Sequence, residues 1–306
     1  TLDIHNTEGR ETLRRLIDTA DVVIETAQPG EMDSIGLGYD NLKTSNPGLL
    51  YVTITPFGQN GPKRHYRGND LIGVATSGLM YLNGFPEDPP NQPGGEQAYH
   101  MASIVAVSWI MMALAARNRT SDGEGSRIDV SMQEATSMAT LQTANANIFT
   151  WHGRIPQRVG ITTPAGGRAI YQCRDGGWIS FTVPMGSPPL WKVFVDWLGE
   201  HGLDEPLTGD EWTDPAHRFS HSNIVTEAIT GLASIYDRAD LFYEGQKRRM
   251  LVLPVNNARD LVEDEHLRER EFFVDVEHPH LGRTLTDVGA PFRLSESPAA
   301  TRRPAP

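Results

Sequence analysis

The chain has 306 residues, a formal net charge of −12 and one cysteine, Cys173. An acidic surface repels a phosphate backbone, so nucleic acid is excluded as a partner, although a local basic pocket can still hold a small phosphorylated molecule. A lone cysteine excludes an intrachain disulfide and any multi-cysteine metal site, which fits a reducing cytoplasm, and the length calls for a large lobe plus a smaller one.

Thr7 is the expected cap of a helix over residues 8–19, with Leu13, Leu16 and Ile17 on one face. Residues 21–25 (DVVIE) read as a short strand, Gln28, Pro29 and Gly30 as a turn, residues 40–43 as a short helix, and residues 49–55 as a second strand. Strand, helix, strand is a parallel βαβ unit whose right-handed crossover puts both carboxyl ends on one edge, where open α/β sheets bind ligands. The loops at 26–38 and 56–69 are therefore candidate binding segments. The second joins PFGQNGP to Lys63, Arg64, His65 and Arg67, the densest positive charge in the chain, and reads equally as an anion-binding loop or a solvated one. Asp70 opens a predicted helix over 70–82, and the Pro-rich segment 86–93 is too rigid to continue it.

The stretch 94–139 organises the rest. Gly94 and Gly95 lead into an almost wholly apolar run at 101–116, broken only by Ser103 and Ser108, so a helix buried all round is expected. The run falls short of the ~18 to 20 apolar residues that cross a bilayer, so no membrane span is expected. A strand at 128–130 and a helix over 132–149 follow. Gly166 and Gly167 lie in a further glycine segment ahead of a hairpin formed by residues 169–173 and 178–183, with Cys173 a small buried hydrophobe. Helical patterns dominate 188–250, with a loop at 210–218, and short strands return at 253–293 around a helix over 258–269. His278 and His280, near Asp275, lack a fourth ligand and read as surface groups rather than a metal site. The expected fold is α/β. A parallel-sheet, Rossmann-like large lobe occupies 1–185, a smaller α+β domain has its mainly helical part at 186–252, and a return segment at 253–306 packs on the large lobe.

No nucleophile elbow, zinc helix or phosphate-loop signature occurs. Longer ordered segments carry more: ADVVIE at 20–25, QPG at 28–30, IGLGY at 35–39, YVTI at 51–54, FGQNGP at 57–62, DVSMQEA at 129–135 and DGGW at 175–178. In these segments the chain resembles the family III CoA-transferases, the group named for carnitine and bile-acid proteins. The resemblance implies a CoA-transferase acting on an acyl-CoA and a small carboxylic acid, with coenzyme A as substrate and no metal. It also implies two subunits interlocked like chain links, as a homodimer or a heteromeric pair with a related chain. Family members begin about one strand–helix–strand earlier. With Thr1 not a Met and a Pro-rich coil at 302–306, truncation at both ends is expected.

In the family an Asp at the mouth of the apolar helix is the covalent nucleophile. That position resembles Tyr99 here, which cannot form such an anhydride. Three readings stay open: Glu96 replaces it as the carboxylate; Tyr99, His100 or Asp70 runs acid–base chemistry, as in an acyl-CoA isomerase or racemase; or the chain is a non-catalytic acyl-CoA-binding half of a tandem or heteromeric enzyme. Tyr99 also reads as a packed aromatic, His100 as a capping or surface group, and Asp70 as a helix-start acid favoured by the dipole. Acyl-CoA contacts are expected from Gln28, Pro29, Gly30, Phe57, Gly58 and Arg67, and Gly166 and Gly167 resemble the family's glycine flap.

Overall fold

Residues 1–141, 146–161 and 168–299 are described by the computed structural model, and the chain divides into two units, Thr1–Gly160 and Ile161–Pro306. The first unit opens with α1 (Thr7–Ile17), whose cap is Asn6 rather than Thr7. The Asn6 side chain accepts from the Gly9 amide at 2.7 Å, which starts the helix one residue earlier than expected. Strands β1 (Val22–Glu25), β2 (Leu50–Thr55) and β3 (Ser126–Ser131) form a parallel sheet in the order β1-β2-β3. Alternation along β2 sends Tyr51 into one core with Ile17, Leu37 and Leu42, and Val52 into another with Val130.

Helix α2 (Asp70–Thr76) is shorter than the expected 70–82. Gly78, at φ +86, breaks the chain and a separate turn follows at Leu79–Leu82. Helix α3 (Gln97–Arg117) then crosses from β2 to β3, followed by α4 (Met132–Leu141) and α5 (Ala146–His152). Between the last two, where one helix over 132–149 was expected, residues 142–145 lie outside the described residues.

The expectation that the apolar helix is buried all round is corrected. Ala98, Ala102, Ala106 and Ile110, spaced by four, form the buried stripe of α3, while Ile104 at 61 % and Met111 at 60 % stay exposed. Small side chains let the helix lie close on the sheet through that one stripe. With 21 residues, α3 also exceeds the length read from the sequence and is long and apolar enough to cross a membrane by those criteria alone. Its ends are fixed by the fold instead. Arg117 donates to the Gly48 carbonyl at 2.8 Å and pairs with Asp21 at 2.7 Å, which ties the helix terminus to the amino edge of the sheet.

In the second unit β4 (Ile170–Gln172), β5 (Trp178–Thr182) and β6 (Leu251–Pro254) make an antiparallel sheet in that order. Phe181 on β5 packs against Phe194 and Trp197 of α6 (Pro188–Gly199), with ring centroids 6.0 and 5.8 Å apart. Buried residues of α7 (Ser222–Ile235) and α8 (Arg238–Lys247) complete this core. Because β5 pairs with β6, residues 170–182 group with the helices after them, so the division falls at 160 rather than at the expected 185. The described part of 253–306 belongs to the same second unit, not to the first.

Three local expectations change as well. Residues 210–218 are not a loop but a 3-10 turn, Asp210–Thr213, and a helix, Pro215–Ser220. Arg218, 2 % exposed, fixes them by donating to the carbonyls of Trp212, Met185 and Thr213. The helix expected over 258–269 is two, Ala258–Glu263 and Glu265–Glu269, because Asp264 caps the second through the Leu267 amide. His278 is not a surface group. On the ribbon of β7 (Phe273–His278) and β8 (Arg283–Val288) it is buried, its Nε2 lies 3.2 Å from Asp287, and Asp275 is taken by the Thr286 hydroxyl. No group of three metal-ligating side chains occurs among the described residues.

Cys173 sits in the second core, and burial pushes its thiol up to about 11. At neutral pH the thiolate fraction is thus on the order of 10²-fold below that of an unfolded cysteine. An alkylating reagent followed by mass spectrometry is expected to leave the native chain unlabelled and to label it once in denaturant.

Candidate active site

Two features lie on the carboxyl side of the parallel sheet: a pocket built by the strand-end loops, and the first turn of α3. Since α3 ends at the amino edge beside Gly48 and Asp21, and a helix of 21 residues spans ~30 Å against ~20 Å for a six-residue strand, its first turn rises at the opposite edge.

The pocket holds about 410 Å³. Pro29 and Gly30 line it from the turn after β1, Asp33 from the one-turn helix Glu31–Ser34 that follows, and Gln59, Asn60, Arg64 and His65 from the loop after β2. Arg127 and Asp129 of β3 close it. Parallel pairing makes this convergence unavoidable, because Thr53 lies beside Asp129 in register and both strands deliver their following residues to one edge. Asp129 fastens the second loop: its Oδ2 accepts from the Gln59 amide at 2.9 Å and its Oδ1 from the Thr53 hydroxyl at 3.3 Å. Arg127 donates to Gln59 Oε1 at 3.0 Å. Gly58 makes the loop's sharp turn at φ +81, where a Cβ would lie 3.5 Å from the Ser131 Cβ, so the backbone runs close over the end of β3.

Glu25, the last residue of β1, has its carboxyl pushed up by burial, and the Ala27 amide, which donates to it at 2.6 Å, pulls partly the other way. Arg64 and Arg127 give the pocket positive charge, Asp33 and Asp129 give it negative charge, and its walls are loop backbone and amide side chains. Such a site suits a phosphorylated, partly polar ligand better than an apolar one.

The first turn of α3 carries the other candidates. Glu96 is the residue preceding the helix and makes no capping bond with its side chain. Its carboxylate is exposed, as are Tyr99 and His100. Asp70 is different: it is 7 % exposed, and its Oδ1 accepts from the Ala98 amide at 2.8 Å and the Tyr99 amide at 3.2 Å.

Of the residues expected to contact a cofactor, Pro29 and Gly30 line the pocket and Gln28 adjoins them. Gly58 supports the floor, and Phe57 packs edge-on against Tyr66, centroids 6.2 Å apart, with the Lys63 ammonium 6.0 Å above its ring. Arg67 is exposed and is not among the lining residues. Gly166 and Gly167 lie outside the described residues. Sequence reasoning passed over Arg127 and Asp129. Their signal was parity, since alternate residues of a predicted strand that reach a ligand-binding edge face the same way.

Comparison with known proteins turns this geometry into a relationship. The sequence model described as CoA-transferase family III matches residues 1–306. The chain belongs to CoA-transferase family III. It is 35 % identical over 305 residues to the succinyl-CoA:(R)-benzylsuccinate CoA-transferase subunit BbsE of Thauera aromatica, covering 96 % of this chain and 72 % of that one. It is 27 % identical over 308 residues to the succinyl-CoA–L-malate CoA-transferase beta subunit of Chloroflexus aurantiacus, covering 99 % and 73 %. Among solved structures, a CaiB/BaiF family protein from Brucella suis aligns over all of this chain and 77 % of its own, with a TM-score of 0.79 and 26 % identity. For this family III chain the expected α/β architecture with a parallel sheet therefore holds, and its relatives are named as transferases of CoA between acids.

Proposed function

We propose that the chain is a subunit of an acyl-CoA:carboxylate CoA-transferase that moves CoA between carboxylic acids through a carboxylate nucleophile, in a cytoplasmic setting. The observation that carries the reading is the polar, cation-bearing pocket at the carboxyl edge of β1, β2 and β3, on the edge where α3 begins. In this reading the loops around Gln28, Pro29, Gly30, Phe57 and Gly58 hold the CoA chain, Arg64 and Arg127 neutralise its phosphates, and Arg67 adds an outer positive charge.

The chemistry needs no oxidant. A carboxylate oxygen attacks the thioester carbonyl of the donor, the C–S bond breaks, and CoA thiolate leaves behind a mixed anhydride. The thiolate then attacks the enzyme's carbonyl carbon, the anhydride C–O bond breaks, and the donor acid departs from an enzyme–CoA thioester. The acceptor carboxylate runs both steps backwards. Glu96 is the carboxylate this chain offers: it is exposed, it stands at the start of α3, and no capping bond occupies it.

A second reading places the nucleophile on a related partner chain. Tyr99 stands where the resemblance expects the family's aspartate, and Asp70 is engaged with backbone amides. Both relatives described above are named as subunits, and the exposed apolar face of α3 at Ile104, Val107, Met111 and Met112 is suited to an interlocked neighbour.

Calorimetry with CoA on the full chain and its partner tests the pocket. Arg64→Ala is expected to weaken CoA roughly tenfold, the loss of one charge-assisted phosphate contact. Affinity should also fall as salt rises. Arg67→Ala is expected to cost less. Absence of binding heat at millimolar CoA, or an Arg64→Ala protein that binds like the wild type, contradicts the assignment.

A further inference from the structure

An α-helix leaves its first amides without intrahelical partners, and a side chain just before the helix usually accepts from the second or third of them. In α3 that residue, Glu96, makes no such bond. The amides concerned, those of Ala98 and Tyr99, are both taken by one oxygen of Asp70, a residue of another helix. The second oxygen, Oδ2, is buried and has no partner among the described residues, and no ion pair engages the carboxylate. As the first residue of α2, Asp70 thus stands at the amino-terminal ends of two helices, its own and α3.

Packing fixes the same geometry from a second point. Gly73, one turn after Asp70 on α2, lies so close to α3 that a Cβ there would come 2.6 Å from the Ala98 Cβ and 3.1 Å from Met132 Cε. Asp70 and Gly73 thus grip the first turn of α3 at Ala98 from one face of α2, and Ala98 itself is fully buried.

We propose that Asp70 is a positioning residue that caps α3 across the fold, and that by holding the Ala98 and Tyr99 amides it leaves Glu96 uncommitted and fixes where the Glu96 and Tyr99 side chains stand. The proposal rests on the transferase reading for its catalytic consequence, though not for the cap. It assigns Asp70 no proton transfer. A carboxylate that accepts two backbone amides through one oxygen in a buried site is serving as an acceptor, and asparagine retains an acceptor oxygen of the same reach.

The test compares Asp70→Ala and Asp70→Asn in the full chain with its partner, by site-resolved amide hydrogen exchange and by steady-state kinetics. The expected result is that Asp70→Ala speeds exchange at Ala98 and Tyr99, while Asp70→Asn keeps both protected. Displacement of the reacting groups by about an ångström costs on the order of 10²-fold, so kcat of Asp70→Ala should fall by that factor. KM for the acyl-CoA should stay within about threefold and Asp70→Asn should recover most of the rate. If Asp70→Ala does not fold, Gly73→Ala, which keeps the carboxylate but forces α2 off Ala98, is expected to expose the same two amides. Asp70→Asn as inactive as Asp70→Ala with both amides still protected would overturn the proposal in favour of acid–base chemistry. So would protected amides in Asp70→Ala. A wild-type complex that transfers no CoA would sink the transferase reading, and the exchange pattern would still decide the cap.

Discussion

Gly125→Ala is expected to destabilise the first unit by about 3 kcal/mol, at the upper end of overpacking costs, because nothing near the new methyl can yield. A Cβ at this position would stand 2.0 Å from the Leu49 carbonyl oxygen and 2.6 Å from the Gly48 carbonyl carbon. Both are backbone atoms at the start of β2, so relief requires β2 and β3 to separate. Separation would strain the bond from the Gly125 amide to the Pro47 carbonyl, 2.8 Å, and the first rungs of the ladder at Leu50 and Ser126. Arg117 would lose its alignment with Gly48 and Asp21 at the same edge. For a unit of this size the thermal midpoint should drop by roughly 6 to 12 °C. Gly94→Ala is the control. A Cβ there meets nothing within 4 Å, so the midpoint should move by no more than the half kilocalorie or so typical of surface changes. A Gly125→Ala protein that melts with the wild type would mean that β2 and β3 do not pair as described.

The fold was largely legible in the sequence, and the site only in part. Residues 49–55 announced β2 by their β-branched run, and the short apolar segment at 21–25 announced β1. Their parallel pairing followed from the helical stretch between them. What stayed hidden lay between distant residues. The apolar run of α3 gave no sign of which face is buried, because its close-packed stripe is Ala98, Ala102 and Ala106, and alanine does not stand out in a run of apolar side chains. The break of α2 at Gly78 needed a positive φ that a helix-period pattern does not reveal. Asp70 read as an ordinary helix-start acid, because its partners are 28 and 29 residues away. Arg127 and Asp129 became site residues only once the register placed them beside Tyr51 and Thr53. In the second unit, Arg218 turned an expected loop into helix through three carbonyl bonds that no local pattern encodes.

Glu96→Gln is expected to abolish covalent capture of CoA by this chain and to lower the transfer rate by at least about 10³-fold, the scale seen when a covalent nucleophile is removed. Glutamine keeps the shape of the first turn but cannot form an anhydride at a useful rate. The Ala98 and Tyr99 amides should stay with Asp70, so the loss would not be a loss of helix structure. A Glu96→Gln complex with wild-type turnover would remove Glu96 from the chemistry and move the nucleophile to the partner chain.

Intact mass spectrometry of each chain, after incubation with an acyl-CoA and reduction with borohydride or capture with hydroxylamine, is the most direct test of transfer through an enzyme-bound CoA thioester. The predicted result is a modification on this chain that maps to Glu96 and is absent from Glu96→Gln. The same modification found only on a partner chain would assign this chain to binding and leave the covalent route intact. Full CoA transfer with every chain unmodified would contradict the account.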